Sequence, residues 1–174
     1  MQIEKLPKLR DITAEDPLKV CFVCLGNICR SPTAEGVFQH LVNREGLSRF
    51  FEIDSAGTGA YHVGEPANSK SRKVAEQYGV TLQSRARKFE SSDYDYFDLV
   101  LAMDKENLRD LKGMDPARLH QQKLFLMRDF DPTPDNGEVP DPYYGGINGF
   151  EMVFEIVKRS SENLLSLIRP NIRQ

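Results

Sequence analysis

Residues 20–36 read VCFVCLGNICRSPTAEG, and all three cysteines of the 174-residue chain lie inside this stretch, at positions 21, 24 and 29. Its first part belongs to the apolar run Leu18–Val23, long enough for a buried strand and too short for a helix. Its last part opens a helix: Ser31 is the candidate N-cap and Pro32 the first helical residue. Ala34, Val37, Phe38, Leu41 and Val42 then recur at helical spacing and form one apolar stripe. The stretch therefore predicts a strand, a tight loop and a helix, with Cys24 to Arg30 in the turn.

The rest of the chain repeats that alternation. Phe50–Ile53 predicts a second strand, running into the small residues Ser55-Ala56-Gly57-Thr58-Gly59. Residues from Ala67 to Tyr78 read as a helix stopped by Gly79, and Asp98–Ala102 as a third strand followed by a short helix from Asp104 to Lys112. Lys123–Met127 predicts a fourth strand, and the Pro-, Gly- and Asp-rich residues Asp131–Gly149 a long surface loop. Phe150, Val153, Phe154, Val157, Leu164, Leu165 and Ile168 make the last helix amphipathic. Strands alternating with helices predict a single-domain α/β, three-layer sandwich, a parallel sheet with helices on both faces. In such folds ligands sit beyond the carboxyl ends of the strands, where the cysteine loop falls.

Composition narrows the functional classes. Hydrophobic residues make up 40% and charged residues 28%, ordinary for a globular chain, and a net charge of −3 provides no basic field for a nucleic-acid partner. No apolar run is long enough to span a membrane. Residues 1–16 mix acids and bases, lack the apolar core of a signal peptide, and read as a loosely held polar extension before a domain at 17–174. Three crowded cysteines make a poor disulfide framework, so a reducing, cytoplasmic setting is expected.

Three readings compete for the chemistry. Cys21 and Cys24 form a C-x-x-C, but side chains three apart in a strand point to opposite faces, and no second Cys/His pair follows, His40, His62 and His120 being scattered. No metal site is expected, and Cys21 reads as a core residue. Gly57-Thr58-Gly59 starts a dinucleotide pattern, but His62 stands where the third glycine belongs. Cys24-Leu-Gly-Asn-Ile-Cys-Arg30 fits best as a unit, a C-x5-R loop between strand and helix. Such a loop turns backbone N–H groups inward as an anion nest at a positive helix end. Gly26 and Asn27 tolerate the backbone angles of the curl, and Arg30 can fork two hydrogen bonds to phosphate oxygens. The same field favours the thiolate form of a cysteine, here Cys24, with Ser31 placed to donate to it.

A thiolate attacking a phosphoester needs an acid for the leaving oxygen. Asp141, stiffened between Pro140 and Pro142 in VPDPYYGG, is the candidate, with Tyr143 and Tyr144 as walls of an aromatic slot. Asp129, Asp131 and Asp135 in the same region are alternatives.

VCLGNICRSP followed downstream by PDPYYGG resembles the low-molecular-weight protein tyrosine phosphatases, most like their bacterial branch, over about residues 18–168. Asp54-Ser55-Ala56-Gly57-Thr58, Arg85-Ala86-Arg87 and Ala102-Met103-Asp104 run in the family's order. The resemblance implies a four-stranded sheet in order 2-1-3-4 and hydrolysis of phosphotyrosine and small aryl phosphates through a cysteinyl-phosphate. Cys24 would be the nucleophile, Arg30 the clamp on the equatorial oxygens, and Asp141 the general acid and then base. It further implies phosphate or substrate contacts from Leu25, Gly26, Asn27, Ile28, Cys29, Ser31, Tyr61, Tyr143 and Tyr144, with His62 beside Tyr61 in a variable substrate-facing loop. Cys29 would form a reversible disulfide with Cys24 under peroxide. No cofactor is implied, and the partners are tyrosine-phosphorylated proteins and oxyanions. Asn68 and Lys70 stand where many relatives carry an aspartate and an arginine, which leaves open how the neighbouring loop is braced. A thiol-dependent arsenate reductase is the nearest rival, but the chain has no cysteine after Cys29 to carry the disulfide onward. A non-catalytic phosphotyrosine binder would have lost Cys24 or Asp141, and a redox sensor using Cys24 and Cys29 can coexist with turnover.

Overall fold

The computed structural model describes residue 6, residues 8–143 and residues 146–174. Strand β1 (Leu18–Cys24) runs into helix α1 (Arg30–Arg44), then β2 (Phe51–Gly57), α2 (Ser69–Gln77), α3 (Asp93–Tyr96), β3 (Leu99–Ala102), α4 (Lys105–Gly113), β4 (Leu124–Leu126) and α5 (Ile147–Ile168). The four strands form a parallel sheet in the order β2-β1-β3-β4, as expected.

β1 is central, and its side chains explain the continuous apolar run. Leu18, Val20, Phe22 and Cys24 join the core under α1, α2 and α5, while Cys21 and Val23 point the other way, to Phe89, Tyr94, Phe97 and Leu111 of the α3/α4 side. A strand buried on both faces has no polar face to show. The same alternation separates Cys21 from Cys24. Burial pushes the Cys21 thiol well up, so it stays a neutral core group.

Two element ends follow different physics from that expected. α1 begins at Arg30 with Cys29 as its N-cap residue, so Ser31 does not cap the helix and Pro32 sits two positions past the helix start. α2 is capped by Asn68, whose side chain accepts from Lys70 N, and ends before Gly79 at φ +77°.

The expectation of a loosely held extension fails for residues 8–16. Ile12 is fully buried and bridges Ile172, donating to Asn171 O and accepting from Arg173 N, both at 2.8 Å. Arg10 reaches Asp98 at 3.1 Å, at the start of β3. Apolar residues in a largely polar segment supply the reason: Ile12 completes the core beside Ile172, and Leu9 packs against it. Ile12→Ala is expected to lower the unfolding free energy by about 2–4 kcal/mol in urea titration. Half-exposed Ile147, truncated in the same way, should cost far less.

Candidate active site

The loop between β1 and α1 curls because Asn27 is left-handed, at φ 57°. Asparagine tolerates this region better than most side chains. Gly26 does not share that role: it is absent from the glycines of positive φ, and a Cβ there would meet the His62 ring at 3.0 Å. Gly26 thus gives room to a neighbour instead of an unusual turn. Gly57 also serves by close approach, since a Cβ would lie 2.6 Å from Leu25 O.

Asn27 ties the curl to three other segments. Its Nδ2 donates to Ser31 Oγ at 2.7 Å and to Ser55 Oγ at 3.0 Å, and its Oδ1 accepts from Arg87 N at 3.1 Å. Ser31 Oγ lies 3.0 Å from Cys24 Sγ. The curl's carbonyls are engaged outward: Cys24 O accepts from Thr58 N, Leu25 O from Gly59 N, and Ile28 O from Asn68 N, at 2.7–3.0 Å. The backbone of Asn68 therefore braces the loop, answering what its side chain left open.

Arg30 is 3% exposed, a buried guanidinium that needs partners. Nη1 donates to Asp104 Oδ2 at 2.6 Å and to Val139 O at 3.1 Å, and Nη2 lies 3.6 Å from Asp141 Oδ2. The long loop before α5 is itself pinned. Val139 N donates to Met103 O at 2.8 Å, and Arg128 holds Glu138 O at 2.9 Å and Thr133 O at 2.8 Å. These ties bring Asp141 over the curl. Its Oδ1 accepts from Tyr143 N at 3.0 Å, which leaves Oδ2 toward Arg30. The competing aspartates are otherwise employed: Asp131 is buried between Arg128 and Arg159, and Asp129 accepts from Leu126 N. Asp135 does not line the cavity that holds Cys24.

That cavity has a volume of about 390 Å³ and is lined by Cys24, Leu25, Gly26, Ile28, Cys29, Arg30, Tyr61, His62, Asp141 and Tyr143. Tyr61 and Tyr143 stand at its exposed rim, with the His62 ring 5.9 Å from that of Tyr143 and paired to Glu65. The side chains of Asn27 and Ser31 do not reach it: both lie buried behind the curl. Tyr144 lies outside the described residues. The Cys29 thiol is pushed up to about 12 by burial first and by Cys24 second, with Ser71 opposing.

The sequence reading missed Asp104 as the partner of Arg30, although the Ala-Met-Asp run was visible, and it missed Glu35. Glu35 Oε1 accepts from Ser55 Oγ. Burial pushes its carboxyl up to about 7, the Ser55 bond opposes this, Asp54 adds to it, and Ser84 and Arg87 oppose.

A family model described as "Low molecular weight phosphotyrosine protein phosphatase" matches residues 19–174. The chain belongs to this family. A low molecular weight protein-tyrosine-phosphatase of Streptomyces coelicolor is 44% identical over 156 residues, covering 88% of this chain and 95% of the relative. A crystal structure of a protein tyrosine phosphatase from Entamoeba histolytica, with Hepes in its active site, superposes with a TM-score of 0.85 at 43% identity, covering 88% and 97% of the two chains. YfkJ of Bacillus subtilis superposes at 0.83 with 36% identity, covering 88% and 96%. Relatives that match come from bacteria and from eukaryotes alike, including rat at 41% identity.

Two outcomes test this geometry. Asn27→Ala loses three hydrogen bonds and places Cβ-bearing alanine in a left-handed position, an expected loss of about 3 kcal/mol in unfolding free energy. Asn27→Gly loses the same bonds but relieves the backbone, and should recover about 1 kcal/mol of that loss. The second concerns Glu35. Its folded value lies above the unfolded one, so its contribution to stability is full below about pH 4.5 and lost as pH rises through about 7. Glu35→Gln should therefore match wild type in thermal midpoint at pH 5 and exceed it above pH 7.

Proposed function

We propose that the chain hydrolyses phosphotyrosine esters and small aryl phosphates through a cysteinyl-phosphate. One observation carries the reading. Cys24, Arg30 and Asp141, from β1, α1 and the loop before α5, line one cavity over a curl whose carbonyls turn outward. In a trans peptide the N–H of the next residue points opposite to the carbonyl. The N–H groups of Leu25, Gly26 and Cys29 therefore face the cavity side, where an anion can receive them. The N-terminal end of α1 adds its positive dipole, and Arg30, held from behind by Asp104, offers its fork to two equatorial oxygens.

The reaction runs in two displacements. Cys24 Sγ forms a bond to phosphorus as the bond to the aryl oxygen breaks, and Asp141 gives its proton to that oxygen. Water then attacks phosphorus while Asp141 takes a proton from it, and the sulfur leaves as thiolate, receiving a hydrogen bond from Ser31 Oγ. Leu25 and Ile28 provide apolar wall, and Tyr61 and Tyr143 at the rim suit a flat aromatic ester. The Hepes-bound relative supports an oxyanion pocket at this place, since a sulfonate has the tetrahedral oxygens of a phosphate. Tyrosine-phosphorylated proteins are the proposed partners. A reduced, cytoplasmic setting is proposed because Cys24 must be a free thiol to act. Cys29, also on the cavity wall, is the proposed redox partner: its thiol displaces water from a peroxide-oxidised Cys24 sulfenic acid to give the disulfide.

Hydrolysis of aryl phosphates, measured against pH with chelator present, tests the assignment. Cys24→Ser should show no turnover and no trapped phosphoenzyme after acid quench. Asp141→Asn should lose about 10²–10⁴-fold with a poor leaving group and much less with p-nitrophenolate. Turnover that survives Cys24→Ser, or equal losses for both leaving groups in Asp141→Asn, would overturn it.

A further inference from the structure

The hydrogen-bond chain behind Cys24 does not end at Asn27. Its polarity follows from counting protons. The Asn27 amide is oriented by Arg87 N, which donates to Oδ1, so its two Nδ2 hydrogens go to Ser31 Oγ and Ser55 Oγ. Each serine oxygen accepts from Asn27 and keeps one hydrogen to give. With Cys24 as the thiolate, which only accepts, Ser31 gives its hydrogen to Sγ at 3.0 Å, the Ala56 carbonyl being farther at 3.5 Å. Ser55 gives its hydrogen to Glu35 Oε1. An unbroken path thus joins the Cys24 sulfur to the carboxyl of Glu35, on the second turn of α1, and none of the three residues between them titrates.

We propose that Glu35 is a positioning residue for Cys24: its carboxylate holds the Ser55–Asn27–Ser31 chain in the order that delivers Ser31's hydroxyl to the sulfur, and protonation of Glu35 relaxes that delivery. A carboxylate only accepts, so an ionised Glu35 fixes the Ser55 hydroxyl toward itself and polarises it, which strengthens the bond Ser55 receives from Asn27. A neutral carboxyl carries its own hydrogen and can offer it to Ser55 Oγ, whose own hydrogen then turns away from Glu35, so that Ser55 is no longer polarised as an acceptor for Asn27 Nδ2. Asn27 then loses its charge-assisted anchor on one side, and the curl it holds in a left-handed conformation becomes free to shift Ser31.

The groups around Glu35 place this change within an accessible range of pH. Asp54 from β2 disfavours its charge, Arg87 from the segment before α3 favours it, Ser84 donates to it, and the neutral Cys21 thiol lies within electrostatic range across the sheet. Arg87 is shared with Asp54 and Asp93, at 3.0 Å each, so its charge is only partly available to Glu35. Burial is the largest influence, with the net result that the carboxyl ionises near neutrality.

The inference rests on Cys24 being the reactive thiol, and it is read without turnover so that the two stand or fall separately. The reduced full-length chain would be treated with iodoacetamide from pH 5 to pH 9, with Cys24 modification followed by peptide mass spectrometry. Wild type should show an inflection near pH 7 beside that of the thiol itself. Glu35→Gln and Ser55→Ala should each lose that inflection, matching wild type at pH 5 and reacting about fivefold more slowly above pH 7. An inflection that persists in Glu35→Gln assigns the titration to another group and overturns the proposal. One lost in Glu35→Gln but kept in Ser55→Ala shows action through space and overturns the relay. If these profiles behave as expected while the wild type fails to hydrolyse aryl phosphates, the phosphatase reading fails and the coupling stands.

Discussion

A single left-handed residue organises the site. Asn27 bends the chain between β1 and α1, and its amide makes three hydrogen bonds, each to a different neighbour: the first turn of α1, β2 and the segment after α2. A curl in which the carbonyls face outward leaves N–H groups inside, an arrangement that costs free energy unless the surrounding structure over-determines it. Thr58, Gly59 and Asn68 meet that requirement by donating to the outward carbonyls. Close approach of β2 to the curl is possible only because residue 57 has no side chain.

The second constraint is a buried charge. Arg30 sits at the start of α1 with almost no exposure, and an unpaired guanidinium there would be strongly destabilising. Asp104 and Val139 O satisfy it, and in doing so they fasten β3 and the loop carrying Asp141 to the same point. The Asp104 side chain also accepts from Asn107 N as the cap of α4. One carboxylate therefore serves both a helix end and the anion clamp. Among its described residues the loop of Asp141 holds no helix or strand, and the Arg128–Asp131–Arg159 cluster gives it the rigidity that strands give the curl.

Much of this was legible in residue order. The apolar run Leu18–Val23, the helical stripe from Ala34 to Val42 and the C-x5-R spacing are local patterns, set by periods of two and 3.6 residues and by turn chemistry. They were enough for the strand–loop–helix unit, the parallel sheet and the place of the site. Errors arose where a residue had more than one local use. Ser31 fits an N-cap by type, yet its hydroxyl is taken by Asn27 and Cys24. Gly26 fits a turn by type, yet its value is the room it leaves His62.

By itself, then, the sequence determined the fold class, the loop and its thiol, because those depend on contacts between near neighbours in the chain. Only the tertiary structure decided that Asp104 backs Arg30 across 74 positions, that Asp141 and not Asp131 reaches the cavity, that Ile12 belongs to the core, and that Glu35 lies at the far end of the Cys24 chain. Each of these is a pairing between distant segments. No local period encodes such a pairing, because the partner is chosen by which groups burial leaves without water.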